Sequence, residues 1–361
     1  MRELEDLQRR LESVQALLSN VPDPVILVDP DGLVREANAA AHALLPRLRL
    51  GQPLFYAVRA PEILEAVAQA PGRSGSVHVE YHERVPTERT FEVQIGAPPS
   101  KGRSTSGKPD VMLFFRDLTT ARGLERMRVD FVANASHELR TPLASVLGFI
   151  ETLQGPARND SAARDRFLDI MREQAQRMTR LIDDLLSLSR IELRAHVPPE
   201  SAVDLRSIVT QMLDSLAPLG RERGVAIGLA ADEGGLTVRG DRDELLRVVE
   251  NLVENAVKYG AEGGRVDVAL RRLKGGEEAE IALVVRDHGP GIAPEHLPRL
   301  TERFYRVDVT ASREQGGTGL GLAIVKHIVN RHRGRMQIES ELGRGATFTV
   351  ILPAHAGAAV I

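Results

Sequence analysis

The sequence has no cysteine at all, so disulfides, thiolate metal sites and a cysteinyl-flavin photosensor are excluded, and a reducing compartment is the default. It also lacks a charge bias. Lys and Arg number 47 against 50 Asp and Glu, so no global field steers the chain toward nucleic acid or an anionic membrane, and no direct nucleic-acid partner is expected. Missing too is any run near the about 18 consecutive apolar residues that a membrane span needs, and Met1-Arg-Glu-Leu-Glu-Asp6 has no signal-peptide core. A cytoplasmic protein is expected for the chain as given, with a membrane sensor complex, reached through a longer form or a partner, left open.

What is present is modular. At 361 residues the chain is long enough for two or three domains. Leu4, Leu7, Leu11, Val14 and Leu18 alternate spacings of three and four, which predicts an amphipathic helix over residues 1–19, either packed on the next domain or forming a dimer seam. From residue 20 to 118 the pattern is short strands with turn chemistry: Val25 to Asp29, the turn Asp29-Pro-Asp-Gly32, Leu33 to Ala37, then Ser76 to His82, Thr90 to Ile95 and Asp110 to Arg116. Asn38 reads as the N-cap of a short helix to Leu45, and Pro98 to Pro109 as a long hairpin connection. A small antiparallel sheet with helices on one face results.

Residues 119–195 lose the strand signals. Phe167, Met171, Gln174, Met178, Leu181, Leu185 and Leu188 hold a heptad-type repeat, a preceding helix runs from about Leu124 to Leu153, and Gln154-Gly-Pro-Ala-Arg-Asn-Asp160 separates the two. One hairpin cannot bury both faces of such a repeat, so two chains forming a four-helix bundle, a homodimer, is the economical solution. After the linker His196-Val-Pro-Pro199 come mixed helices and strands, an α+β domain over residues 200–355 that includes the strand Glu280 to Val285 and a hairpin at Gly343-Arg-Gly345.

Four segments carry chemistry. His137 stands in Phe131-Val-Ala-Asn-Ala-Ser-His-Glu-Leu-Arg-Thr-Pro142, with Glu138 beside it, Thr141 one turn on and Pro142 set to kink the helix. A neutral imidazole is a competent nucleophile, and a carboxylate such as that of Glu138 can hold the proton on its other nitrogen. Asn251, Asn255 and Lys258 form a polar stripe at i, i+4 and i+7, offset from the apolar face Leu245, Val249, Leu252 and Ala256. Two amides and an ammonium in line suit a Mg²⁺ that keeps water and phosphate as its other ligands; a solvated face explains the lysine easily and two aligned asparagines, which are mediocre helix formers, poorly. Asp287 follows a hydrophobic strand and opens Asp287-His-Gly-Pro-Gly-Ile292, where a carboxylate can accept from an amine such as that of adenine, and Gly289 and Gly291 permit close backbone approach; alone the signal is weak, since Asp and Gly after a strand usually mean a turn. Gly316-Gly-Thr-Gly-Leu-Gly-Leu-Ala-Ile-Val325 runs a glycine loop into a helix, where free N–H groups suit phosphate; it matches neither common phosphate-loop pattern.

The box from Phe131 to Leu143 resembles the phosphoacceptor segment of sensor histidine kinases, and the later three resemble the asparagine box and two glycine boxes of their ATP domain, a fold shared with Hsp90, gyrase and MutL. The resemblance covers residues 119–353. Residues 20–118 look like a PAS sensory domain. Leu300 to Asp308, Gly316 to Lys326 and Arg331-His332 look most like the phosphate-regulon branch, although Thr301 stands where many relatives carry Phe, and no membrane helices precede the PAS-like part.

The resemblance implies a protein-histidine kinase that phosphorylates His137 from Mg-ATP and passes the phosphoryl group to an aspartate of a response-regulator receiver domain. Glu138 assists, and Glu138 with Thr141 gives the pattern used to dephosphorylate that partner. It implies Mg²⁺ on Asn255, phosphate near Asn251, Lys258, Gly317, Thr318, Gly319, Leu320 and Gly321, and adenine on Asp287 beside Gly289 and Gly291. Residues 293–315 become a mobile lid in which Phe304 and Arg313 help close the site. His42, His78 and His82 read as surface residues, so no haem or metal is expected in the PAS-like part. Two rivals are a nucleotide-driven clamp, which leaves His137 idle, and a phosphatase or scaffold that binds ATP without kinase activity.

Overall fold

A computed structural model describes residues 20–72, 75–83, 89–97, 109–273, 279–308 and 317–355. The expected N-terminal amphipathic helix, the loop from Pro98 to Lys108, and Arg313 lie outside the described residues. The chain divides into two compact units that part between Asp130 and Phe131.

The first unit is one antiparallel sheet built from β1 (Val25–Val28), β2 (Val34–Ala37), β3 (Val77–Glu83), β4 (Arg89–Gly96) and β5 (Val111–Asp117), in spatial order β2-β1-β5-β4-β3. The turn between β1 and β2 forms because Asp29 Oδ1 accepts from the N–H groups of Asp31 and Leu33, with Gly32 at φ 82°. Asn38 caps α1 (Ala39–Leu44) by accepting from Ala41 N–H at 2.9 Å. α2 (Pro61–Gln69) buries Ile63, Ala66 and Val67 in a core with Ile26, Leu48, Leu54, Ile95, Leu113 and Phe115. His42, His78 and His82 are exposed, the last two beside Glu92 and Glu80 on β4 and β3.

The helical hairpin consists of α3 (Thr119–Gln154) and α4 (Ser161–Leu193), the latter capped by Asp160, which accepts from Ala163 N–H at 2.9 Å. α3 begins five residues before the expected Leu124. Its first turn holds Thr119, Thr120 and Gly123, weak helix formers that hide it from a propensity argument, and the Asp117 carboxylate secures it by accepting from Thr119 N–H at 2.8 Å. Pro142 lies inside α3, and the helix continues through it.

Beyond the linker are β6 (Ala202–Asp204), α5 (Leu205–Glu222), β7 (Ala226–Ala231), β8 (Thr237–Arg239), α6 (Arg242–Tyr259), β9 (Arg265–Leu273), β10 (Glu280–Asp287), α7 (Gly321–Arg331), β11 (Arg335–Ser340) and β12 (Ala346–Pro353). β6 and β8 pair apart; the main sheet has the order β11-β12-β10-β9-β7, antiparallel except where β7 joins β9. Helices α5, α6 and α7 close over it in one core, which makes the α/β sandwich. The same core takes in Leu181, Leu188 and Ile191 from α4, so part of the heptad stripe is buried within one chain. No helix among the described residues is long and apolar enough to cross a membrane.

Candidate active site

His137 lies on the exposed side of α3, and its ring has no hydrogen-bond or ion-pair partner among the described residues. Thr141 Oγ1 donates to the His137 carbonyl at 3.2 Å. Pro142 supplies no N–H, which removes the helical bond to the carbonyl of Glu138. The Glu138 carboxylate does not hold the His137 ring, as the sequence suggested it would. Arg177 Nη2 from α4 and Arg306 Nη2 each reach its Oε2 at 3.0 Å, and Arg306 Nη1 its Oε1 at 3.4 Å. Two charged, nearly buried guanidinium groups outcompete a neutral imidazole for it.

The asparagine stripe sits on α6, whose apolar face, Leu245, Val249, Leu252 and Ala256, is buried in the sheet-facing core. Asp241 starts the helix by accepting from the N–H groups of Asp243 and Glu244. The Asn251 amide donates to Arg247 O at 2.8 Å, and its Oδ1 lies so close to Gly321 that any side chain there would collide with it. Asn255, by contrast, makes no hydrogen bond to a described residue. A neutral amide oxygen with no described partner fits a Mg²⁺ that is otherwise ligated by water and phosphate. Lys258 Nζ rests on Glu254 Oε1 at 2.8 Å.

Asp287 ends β10 and is 6% exposed. Its Oδ1 accepts from Gly289 N–H at 3.0 Å and Ala346 N–H at 3.2 Å, while Oδ2 has no partner among the described residues. Burial pushes this carboxyl above the usual range, against the pull of the two backbone donors. Gly289 and Gly291 are small because protein backbone presses on them: a Cβ on Gly289 would stand 2.8 Å from Gly260 Cα and Tyr259 O, and Gly291, at φ 73°, abuts Glu341.

Of the expected lid, residues 293–308 are described and are pinned. Phe304, a non-glycine residue at φ 64°, donates its N–H to Gly319 O at 2.8 Å, and its ring lies 5.9 Å from that of Phe131 on α3. Such backbone strain gathers at functional sites. Arg303 pairs with Glu192 on α4. In the glycine loop, Gly317 opens the described part, Gly319 has φ 73°, and Gly321 begins α7. Leu320 is fully buried in the core, so only its backbone faces the loop, with N–H donated to Thr318 Oγ1 at 3.3 Å. The Thr318 hydroxyl itself donates to Asp184 Oδ2 on α4 at 2.8 Å.

The structure thus brings Asn251, Asn255, Lys258, Asp287 and the glycine loop into one domain, with His137 on the hairpin docked against it. Sequence reasoning missed Arg177, Asp184, Glu192, Arg247, Arg303 and Arg306. One signal was available: Asp184 is a charged residue on the apolar stripe that carries Leu181, Leu185 and Leu188. Arg331-His332, noted only as a branch marker, has a structural task. The His332 ring donates from Nδ1 to Ile328 O and accepts Asp241 N–H at Nε2, while Arg331 Nε donates to the carbonyls of Arg194, at the end of α4, and of Val197, in the linker.

Two families match. That described as "His Kinase A (phospho-acceptor) domain" covers residues 127–194, and that described as "Histidine kinase-, DNA gyrase B-, and HSP90-like ATPase" covers residues 240–356. The phosphate regulon sensor protein PhoR of Pseudomonas aeruginosa is 36% identical over 347 residues, 95% of this chain and 74% of its own length. The sensor-like histidine kinase SenX3 of Mycolicibacterium smegmatis is 36% identical over 272 residues, 73% of this chain and 69% of its own. The sensor protein kinase WalK of Staphylococcus saprophyticus is 29% identical over 354 residues, 97% of this chain and 56% of its own.

Proposed function

Since the chain belongs to the sensor histidine kinases, in the phosphate-regulon branch, and is a protein-histidine kinase, we propose that it phosphorylates His137 from Mg-ATP and hands the phosphoryl group to an aspartate of a response-regulator receiver domain in phosphate-starvation signalling. The observation that carries this reading is the exposed His137 ring, which has no partner among the described residues and lies in the same compact unit as the ATP-type domain. A ring nitrogen lone pair attacks the γ-phosphorus, the bond to the β-bridging oxygen breaks, and ADP leaves; the receiver carboxylate then attacks the phosphohistidine and restores the free ring. Such transfers ask for in-line positioning and charge neutralisation rather than covalent help.

The chain's residues take these parts. Asp287 Oδ2, without a partner among the described residues, accepts from the adenine amino group, and Gly289 and Gly291 flank the ring. Asn255 holds Mg²⁺, which supplies charge neutralisation when bound. Asn251 braces α7 at Gly321, Lys258 exchanges Glu254 for phosphate, and the backbone of Gly317, Thr318, Gly319, Leu320 and Gly321 meets the phosphate edge at the start of α7. Phe304 and Arg313 close the lid. Glu138, released by Arg306, assists the transfer, and with Thr141 it serves the reverse dephosphorylation of the partner. The exposed Val132, Leu143, Leu147, Leu168, Ile182 and Leu186 on the hairpin are covered in a homodimer. Residues 20–118 act as a PAS-type sensor, a role that the sheet order of the first unit supports.

Incubating the purified chain with γ-labelled ATP and Mg²⁺, beside His137→Gln, tests the reading. Label that survives alkali, is lost in acid and is absent from the variant is expected. ATP binding without label in the wild type moves the assignment to a phosphatase or scaffold.

A further inference from the structure

Helix α4 presents one stripe to the ATP-type domain. Leu181, Leu185, Leu188 and Ile191 form its apolar part, and Arg177, Asp184 and Glu192 interrupt it at intervals of seven and eight residues. Arg177 meets Glu138 within the hairpin, and Glu192 meets Arg303 in the lid segment. Asp184 does something different. Its Oδ1 takes the Arg247 guanidinium at 2.8 Å, and its Oδ2 takes the Thr318 hydroxyl at 2.8 Å.

Those two donors belong to the two elements that cradle phosphate in the proposed function. Arg247 lies one turn before Asn251 on α6, and its carbonyl receives the Asn251 amide. Thr318 lies in the glycine loop, two residues before the Leu320 N–H that its hydroxyl accepts. A carboxylate with only 18% of its side chain exposed therefore bridges the asparagine helix and the glycine loop, supplied by the hairpin rather than by a ligand. Negative charge is already dense around it. Glu250, one turn on in α6, is pushed above the usual carboxylate range chiefly by burial, with Glu254 and Asp184 adding to it against Arg247 and Lys258.

We propose that Asp184 is an intramolecular competitor of the ATP phosphates: docking of α4 places an anion across Arg247 and Thr318, so that phosphate binding and hairpin docking oppose each other. This rests on the assignment of the nucleotide site given above. A polyphosphate entering the loop repels the carboxylate across a half-buried gap and takes over its donors, which releases the α4 contact and frees the domain to carry the γ-phosphate to His137. By linkage the opposition is reciprocal, so a docked hairpin weakens ATP by the factor that ATP weakens docking. Asp184 touches neither substrate nor reacting atoms; it is a positioning residue.

The test compares the full chain with its Asp184→Asn variant, which keeps the shape and removes the charge. Affinities for ATP and for adenosine, each with and without Mg²⁺, are read by calorimetry, and hydrogen exchange is followed over residues 181–188. ATP affinity is expected to rise about fivefold or more in the variant, adenosine affinity to stay unchanged, and exchange over residues 181–188 to quicken on adding ATP to the wild type. Equal gains for ATP and adenosine mean a loosened structure, and an unchanged or lower ATP affinity means no competition; either overturns the proposal. A loss seen only with Mg²⁺ marks Asp184 as a metal ligand and also overturns it. Should neither protein bind ATP, the nucleotide-site assignment itself fails, an outcome distinct from all of these. Asp184→Ala guards against an effect peculiar to the asparagine amide, and its ATP-to-adenosine ratio must move the same way.

Discussion

A buried carboxylate gives up hydration, and Asp287 regains only part of it from the N–H groups of Gly289 and Ala346. Its raised pKa means that any stability it contributes is present below the unfolded carboxylate value of about 3.9 and is lost as pH rises through the folded value. At neutral pH the ionised group therefore costs the fold free energy. Asp287→Asn should keep the oxygen that accepts both backbone bonds, leave the melting temperature unchanged or higher, and flatten its pH dependence above pH 4. The same change turns the acceptor meant for adenine into a donor, which should weaken ATP by roughly tenfold or more. Calorimetry at several pH values reads both effects, and a melting temperature several degrees lower with ATP affinity intact would show that the carboxylate is structural.

Among the elements, α1 depends on a single side chain to an unusual degree. Asn38 accepts from Ala41 N–H as a cap and from Val25 N–H at the start of β1, and it donates to the carbonyls of Val21 and Asp23. It ties a helix to a strand and to the segment before it. An ordinary cap lost to alanine costs about 1 kcal/mol; here buried backbone groups also lose their partner, so Asn38→Ala should cost roughly 2–4 kcal/mol. Chemical denaturation followed by tyrosine fluorescence, to which Tyr81, buried in that core, contributes, measures it. A cost under 1 kcal/mol would reduce Asn38 to a local cap. The asparagine was legible in the sequence as a cap, because capping is a contact three residues long. Its bonds back to Val21, Asp23 and Val25 were not, because they depend on how the chain returns.

At the scale of the molecule, hairpin and ATP-type domain share one hydrophobic core within the second unit. Leu188 is fully buried between α4 and residues such as Ile324 and Ile328 of α7. Leu188→Ala should cost about 2–5 kcal/mol and, by weakening the shared core, split the melting of residues 131–361 into two transitions. Scanning calorimetry decides it: one transition, merely shifted, would mean that the two parts unfold together without this contact.

Local order was the sequence's own doing. Strand alternation, the Asp29 turn, the Asn38 and Asp160 caps, the break after Gln154 and the order of the boxes all follow from residues within a few positions of one another, where propensity and hydrogen-bonding reach act directly. Tertiary structure decided what those side chains do. Glu138 lost its expected hold on His137 to Arg306, 168 residues away; Thr318 gave its hydroxyl to Asp184, 134 residues away; Leu320 turned into the core; and β7 joined β9 in parallel. None of these pairings has a period or a spacing in the sequence, because a charged group chooses its partner by which other charges the folded chain brings within about 3 Å and away from water.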